Sequence, residues 1–442
     1  MPFQTRITEL LKIEHPIIMG GMTGVGTPEL AAAVSNAGGL GMIAIHNAGS
    51  PQEGRKWIQQ LRHLTNGKPF GVNLTILPSM GPPPPYMEYA QVIIDENVPI
   101  VETAGSSPQK FVSLFKKAGI ITIHKCVTIR HALSAERYGV DIISLDGFEC
   151  AGHPGEDHVG NFVLQAKGSK VLTKPYLCSG GVGDGNQLAA ALALGADGVN
   201  CGTRFCATQE CSWPDSYQQR MIEAQETDTV LMLRRLKNTS RVFQNKVAEE
   251  VQQMESSKGQ DFQFSDVAHL VNGKRGRQAE EDGDADGGIW TAGQVIGLIH
   301  SIPTCQEVIN DMVKEAEETI QTRLASMVVV PRSMHYGWFC EERLVERMRF
   351  DTILFINLDS RKSEEFLGSA VNFGTCFKRK SLLEMFYSSI IYSLAAADSS
   401  LLSYTDTVID HLSLQLPCHH PLAHCSHGQF ARENTAVPSD PC

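Results

Sequence analysis

Six short stretches of this 442-residue chain carry residues able to bind or transfer charge, four of them set among glycines: GGMTGVG (20–26), NLTILP (73–78), HKC (124–126), GFECAGHPGED (147–157), SGGVGDG (179–185) and CGTRF (201–205). Successive glycines let backbone amides approach an anion with no Cβ in the way. Asp184 is placed to cap a following helix, whose positive N-terminal end attracts phosphate. Gly180, Gly181, Gly202 and Thr203 therefore form a candidate phosphate cradle. Tight turns that bind nothing use the same glycines, and that alternative stays open. Gly21 and Met22 would lay bare backbone against a flat ring. Asn73 and Lys125 would bring a hydrogen-bond donor and a positive charge to the polar edge of such a ring; a surface salt bridge is the plainer reading of Lys125. His153 sits between two glycine-bearing turns, and its ordinary pKa near neutrality suits a base or a hydrogen bond to substrate. A structural loop histidine fits the spacing equally well.

These stretches recur at the ends of short apolar runs, and the runs follow one grammar. An apolar run, a Gly- or Asn-bearing turn and an amphipathic stretch ending in Gly repeat from about residue 16 to 203. Eight runs read as strands: 16–20, 41–46, 71–76, 100–105, 121–126, 142–147, 176–181 and 198–203. Helical patterns such as PELAAAVSNAGG and DGNQLAAALALG lie between them. Parallel neighbours need crossover helices, and eight tilted strands can close, so the expected fold is an α/β TIM (β/α)8 barrel. An open doubly wound sheet is the alternative. Gly119, Gly139 and Gly195 read as left-handed helix C-caps. In such a barrel, ligands meet the residues that follow each strand, which is where the six stretches fall.

Residues 1–206 are thus read as the barrel. From 207 to 329 the strand grammar stops and segments such as DSYQQRMIEAQETDTVLMLRRL read as a helical lobe, with GKRGRQAEEDGDADGG (273–288) as its loop. Residues 330–442 form an atypical tail with no continuing repeat. Its CHHPLAHCSH stretch (418–427) carries zinc-type donors, but six donors crowded into ten residues do not reproduce the separated halves of a closed zinc site, and no metal is expected.

The composition sets bounds on partners. The chain is 42% hydrophobic and 20% charged with a formal charge of −11, which disfavours a nucleic-acid surface and favours a small-molecule ligand. No secretory leader or 18-residue apolar span is evident, so a soluble cytoplasmic protein with no membrane span is expected. The 12 cysteines are scattered, and most read as small buried hydrophobes. No GxGxxG or GxxxxGK[ST] pattern occurs, which removes the usual Rossmann and P-loop routes.

Taken together and in order, GGMTGVG, GVNLTILP, VETAG, HKC, GFECAGHPGED, SGG, GTRF, RLKNTSR and DADGGIWTAG closely resemble the nitronate monooxygenase family, formerly the 2-nitropropane dioxygenases. More narrowly, they are similar to its NADH:quinone reductase branch. The resemblance spans about residues 1–329 and implies an FMN-binding barrel. By that resemblance Gly21, Met22, Thr75, Lys125, Ala151, Ser179, Gly180, Gly181, Gly202 and Thr203 contact the cofactor, and His153 falls on the active-site histidine. It implies hydride transfer from NADH through FMN N5 to a quinone. The second activity of the family, oxidation of alkyl nitronates with dioxygen to a carbonyl compound and nitrite, is the alternative; Cys150 and Ala151 before the Gly-His pair favour the reductase branch. A third reading, from another class, is an FMN-binding or interaction protein without turnover. LPSMGPPPPY (77–86) corresponds to the gate on the nicotinamide side, stiffened by four consecutive prolines. Beyond Val329 the resemblance ends, and the tail reads as a fusion, a gene-model error or retained intron sequence.

Overall fold

A computed structural model of the chain describes residues 3–76 and 84–328. The central part of the proline-rich gate and the tail, with its Cys/His stretch, lie outside the described residues.

All eight expected strands form: β1 (Ile17–Met19), β2 (Met42–Ala44), β3 (Gly71–Ile76), β4 (Ile100–Gly105), β5 (Ile121–Cys126), β6 (Ile142–Asp146), β7 (Tyr176–Ser179) and β8 (Gly198–Cys201). They pair in parallel in the order β1-β8-β7-β6-β5-β4-β3-β2. The remaining seam, between β1 and β2, is bridged at Ile18 and Leu40: Leu40 N–H donates to Ile17 C=O at 3.0 Å and Met19 N–H to Leu40 C=O at 2.9 Å. The sheet is therefore a barrel, and the open doubly wound alternative falls.

The helices are α1 (Arg6–Leu11) beneath the barrel and α2 (Pro28–Asn36), α3 (Pro51–Thr65), α4 (Tyr86–Asp95), α5 (Gln109–Lys117), α6 (Ile129–Tyr138), α7 (Asn161–Val171) and α8 (Gly185–Ala193) around it. Their ends follow local chemistry. Thr27 and Ser50 cap α2 and α3, each ahead of a proline at the first helical position, and Thr128 caps α6. Gly119, Gly139 and Gly195 all hold positive φ after α5, α6 and α8, as expected of left-handed caps.

After β8 the chain runs through α9 (Thr203–Cys206), α10 (Asp215–Glu223), an antiparallel hairpin of β9 (Thr229–Met232) and β10 (Ser240–Phe243), then α11 (Lys246–Lys258), α12 (Phe264–Val271), α13 (Gly273–Glu281) and α14 (Cys305–Glu318). This stretch is mostly helical, with two departures from the sequence reading. DTVLMLRRL, read as helix, holds β9, because a short apolar run suits a buried strand as well as a helix and tertiary pairing decides. The 273–288 segment, read as a loop, contains α13; its glycines serve close packing, since a Cβ on Gly288 would lie 2.9 Å from Gly276 Cα. α14 packs against both α8 and α2, filling the place between them in the outer ring.

Inside the barrel, side chains two apart along a strand share a face, and this period separates two layers. The lower layer is Ile18, Leu40, Met42, Ile100, Ile123, Ile142 and Leu177, closed from below by Ile7, Leu11 and Ile13. The next inward positions are polar: Asn73, Glu102, Lys125, Ser144, Asp146, Ser179 and Asn200. An apolar plug thus supports a polar floor, and the floor faces the C-terminal mouth.

Candidate functional site

Glu102 is the hub of that floor. Its side chain is fully buried on β4. One carboxylate oxygen accepts the Gly21 N–H at 3.0 Å and the Asn73 side-chain amide at 2.8 Å; the other accepts Asn200 Nδ2 at 3.0 Å. Asn200 also reaches Ser144 Oγ at 3.1 Å, and Ser144 donates to Asp146 at 3.1 Å. A buried carboxylate costs several kcal/mol of lost hydration unless charge and hydrogen bonds compensate, and here they come from β3, β5, β8 and the turn after β1.

Lys125 supplies the compensating charge. Its Nζ lies 3.4 Å from Asp146 and 4.0 Å from Glu102, and 3.5 Å from Ser179 Oγ. Burial pulls its pKa down, but the two carboxylates outweigh burial and the pKa is raised. The surface salt bridge considered from sequence is not what forms: the side chain is 22% exposed and points into the mouth's polar floor.

The glycine loops stand above the floor. A Cβ on Gly21 would fall 2.1 Å from Asn73 Cβ, so only glycine lets this turn rest on β3. Met22 follows, its carbonyl held by Asn47 at 3.0 Å and its sulfur 3.5 Å from Cys206. Thr75 donates to Asn73 Oδ1 at 2.7 Å, which orients the amide toward Glu102. Gly180 and Gly181 both hold positive φ, and a Cβ on Gly180 would meet Cys150 Cβ at 2.5 Å. Their N–H groups donate to no hydrogen bond among the described residues, while their carbonyls are taken by Asn161 and Gln187. Gly202 and Thr203 open α9 beside Met22, and the Thr203 hydroxyl accepts Gly293 N–H at 3.0 Å. Ala151 lies next to Gly293 on the other side: a Cβ on that glycine would come 3.2 Å from Ala151 N.

One expectation about the phosphate cradle needs correction. Asp184 does cap α8, accepting Gln187 N–H at 2.8 Å, but Glu315 from α14 accepts Gly185 N–H at 2.7 Å. Two carboxylates already occupy that helix end. The positive charge near the loop comes instead from Arg204, which the sequence reading did not single out. Arg204 is buried, donates to the carbonyls of Ala207 at 2.7 Å and Ser301 at 3.0 Å, and its Nε has no partner among the described residues. A Cβ on Gly183, in the phosphate-type loop, would lie 3.7 Å from Arg204 Cβ. Burial lowers the Arg204 pKa, yet guanidinium stays protonated throughout the ordinary range.

His153 rises from the long turn after β6. The residue is exposed, yet the protein packed around it displaces enough water to lower its pKa, opposed by nearby Asn238 and the charge of Glu156. Beneath it, Cys150 is buried and its thiol pKa is raised by that burial, so it remains an uncharged thiol. All seven cysteines of the described residues are free and buried.

The site's residues thus converge at one end of a barrel, with glycine turns, a lysine held between two carboxylates and an exposed histidine. Residues 4–315 match the nitronate monooxygenase family. The chain belongs to that family. It is an oxidoreductase of this flavin-dependent group. FabK from Thermotoga maritima is 37% identical with a TM-score of 0.68, over 74% of this chain and 100% of FabK. Nitroalkane oxidase from Streptomyces ansochromogenes is 26% identical with a TM-score of 0.62, over 72% of this chain and 99% of its own. Among curated relatives, a 5-hydroxy-7a-methyl-1-oxo-octahydro-1H-indene-4-carboxyl-CoA dehydrogenase of Rhodococcus jostii (strain RHA1) is 29% identical over 72% of this chain and 97% of its own. A "probable nitronate monooxygenase" of Staphylococcus aureus (strain Newman) is 29% identical over 57% and 81%. No helix among the described residues is long and apolar enough to cross a membrane.

Proposed function

We propose that this chain is an FMN-dependent NADH:quinone oxidoreductase. The observation that carries the proposal is the pairing of a caged ammonium, Lys125, with a loop at the same end of the barrel whose Gly180 and Gly181 amides donate to no hydrogen bond among the described residues. Bound FMN supplies a two-electron relay between a nicotinamide and a quinone.

The residues present fit that group. Gly180, Gly181, Gly202 and Thr203 offer backbone amides to its phosphate, and Arg204 adds a buried positive charge that no carboxylate neutralises among the described residues. Gly21, Met22 and Ala151 present small or flexible surfaces to a flat ring. Lys125 keeps its proton between Asp146 and Glu102, so negative charge on the polar edge of a ring placed above it is stabilised, with Asn73, Thr75 and Ser179 as neighbours. His153 keeps a neutral ring near pH 7, because its lowered pKa leaves little imidazolium there. It can hold a proton or a hydrogen bond at a substrate oxygen over the exposed ring face.

Anaerobic NADH is expected to bleach the oxidised flavin band of FMN-loaded protein, and a quinone to restore it. Full retention of the band at high NADH would exclude the reductase. His153→Ala should lower turnover while the flavin stays bound. A second reading, nitronate oxidation with dioxygen, is favoured by the nitronate monooxygenase and nitroalkane oxidase named among the relatives; nitrite release from an alkyl nitronate would identify it. Yellow protein inert to both donors would leave an FMN-binding protein without turnover.

A further inference from the structure

The peptide planes of the loop after β7 are held by side-chain amides. Asn161, the first residue of α7, donates from Nδ2 to Ser179 C=O at 2.9 Å and to Gly180 C=O. Gln187, in the first turn of α8, donates to Gly181 C=O and accepts Gly183 N–H at 2.8 Å. The carbonyls of Ser179, Gly180 and Gly181 thus all end on side-chain amides. In a planar trans peptide, the C=O of one residue and the N–H of the next point in opposite directions. The N–H groups of Gly180, Gly181 and Val182 are therefore turned away from Asn161 and Gln187. None of the three donates to a hydrogen bond among the described residues.

Two glycines in succession make such support necessary. Gly180 and Gly181 have φ of +80° and +73°, and glycine enters other backbone regions about as readily, so an unsupported peptide here could turn over. The support is itself anchored. Asn161 N–H donates to both oxygens of Glu149, at 2.9 and 3.1 Å. Asn161 Oδ1 accepts Gln165 Nε2 at 2.6 Å, and Gln165 Nε2 also donates to Leu145 C=O of β6 at 2.9 Å. With Oδ1 so occupied, the two protons of Asn161 Nδ2 are left for the two loop carbonyls. The N-terminus of α8 offers no substitute anion site, because Asp184 and Glu315 already take the Gln187 and Gly185 N–H groups.

We propose that Asn161 and Gln187 are positioning residues that set the direction of these peptides, and that they thereby select a flavin with a terminal phosphate over one without it. This rests on the reading of the loop as the FMN phosphate site. Backbone amides sharing one direction offer hydrogen bonds to anionic oxygens, and those bonds are stronger than bonds to neutral acceptors. A turned-over peptide would present its carbonyl to the phosphate and repel it. Neither side chain has to touch the ligand, since both act through the backbone.

The test titrates FMN and riboflavin separately onto the full chain and follows flavin fluorescence. Asn161→Asp keeps the shape and replaces the donor by an acceptor facing two carbonyls; Gln187→Leu removes the donor to the third. Each should weaken FMN about tenfold and leave riboflavin within about twofold. Ser-Gly occurs once in the chain, at 179–180, so isotope labels on the serine carbonyl carbon and the glycine nitrogen single out the Gly180 amide by NMR. In wild type that signal should move downfield with FMN and not with riboflavin, and Asn161→Asp should lose the response. Equal losses for the two flavins, or FMN affinity unchanged in both variants, would overturn the proposal. Should Asn161→Asp fail to fold, Gln187→Leu decides by the same ratio. Riboflavin bound as tightly as FMN by wild type would remove the phosphate reading and the selection with it. In that event a Gly180 signal that still differs between flavin-free wild type and Asn161→Asp would show that the orienting role stands.

Discussion

Glu102 accepts the Gly21 N–H at 3.0 Å, so a buried carboxylate on β4 fixes the first glycine turn of the mouth. The same group holds Asn73 and Asn200, and three donors converge on two oxygens. Glu102→Gln turns one acceptor into a donor among donors and should cost about 1–3 kcal/mol. Glu102→Leu leaves those donors unpaired and Lys125 short of a partner, and should cost about 3–5 kcal/mol. Urea unfolding midpoints measure both. Equal stability of wild type and Glu102→Leu would show that the floor is not held by this carboxylate.

Gly180→Ala should lose flavin. The residue sits at φ +80° and an added Cβ would lie 2.5 Å from Cys150 Cβ, so the turn must shift and its amide with it. Left-handed strain alone is about 1–2 kcal/mol. Gly49→Ala separates the two effects, because Gly49 has φ +81° but nothing within 4 Å of the new Cβ. The expected result is an FMN dissociation constant raised at least about tenfold, or about 1.4 kcal/mol, in Gly180→Ala and unchanged in Gly49→Ala.

Arg204→Met should discriminate between FMN and riboflavin. Methionine keeps the packing stem and removes the charge next to the phosphate-type loop. Affinity for FMN is expected to drop about tenfold while affinity for riboflavin holds. Parallel losses for both ligands would place the role of Arg204 in packing instead.

His124 makes the fold acid-sensitive. Buried, with Nδ1 2.9 Å from Thr103 Oγ1 and 3.1 Å from Thr103 C=O, its pKa falls from 6.5 to about 4, chiefly through burial. A histidine whose folded pKa is depressed contributes stability that is complete above about 6.5 and is lost as the pH falls through about 4. At about 1.4 kcal/mol per pH unit the loss reaches about 3 kcal/mol. The stability difference between wild type and His124→Gln should therefore shrink or reverse between pH 7 and 4; a constant difference would show that His124 does not titrate in that window.

The strands were legible because each pairs apolar parity with a turn of Gly or Asn, and all eight runs contain the observed strands. The glycines of the mouth and Lys125 were legible for the same reason. Glu102, Asp146 and Asn200 were not singled out, although each is a polar residue at an inward position one step above a buried aliphatic or turn. That phase, repeated in VETAG, SLDG and GVNCG, was the available signal. Arg204 was hidden because exposed and buried arginines look alike in sequence. The hairpin of β9 and β10 was hidden because short apolar runs such as TVLM suit helix and strand alike, and its further tie to the turn at Gly152 lies about 90 residues away, where local patterns carry no record of it.

α14 takes its place between α2 and α8 only after the whole 207–304 excursion has been made. On the ribosome, then, the first and eighth strands can meet long before the staves around them are complete. Until residues up to 318 have emerged, the apolar flanks of α2 and α8 have no partner, and a nascent barrel is exposed along one side. At about 5–20 residues per second that interval lasts several seconds. The expensive moment in this protein's life is during its own synthesis, when holdase chaperones have a defined stripe to cover.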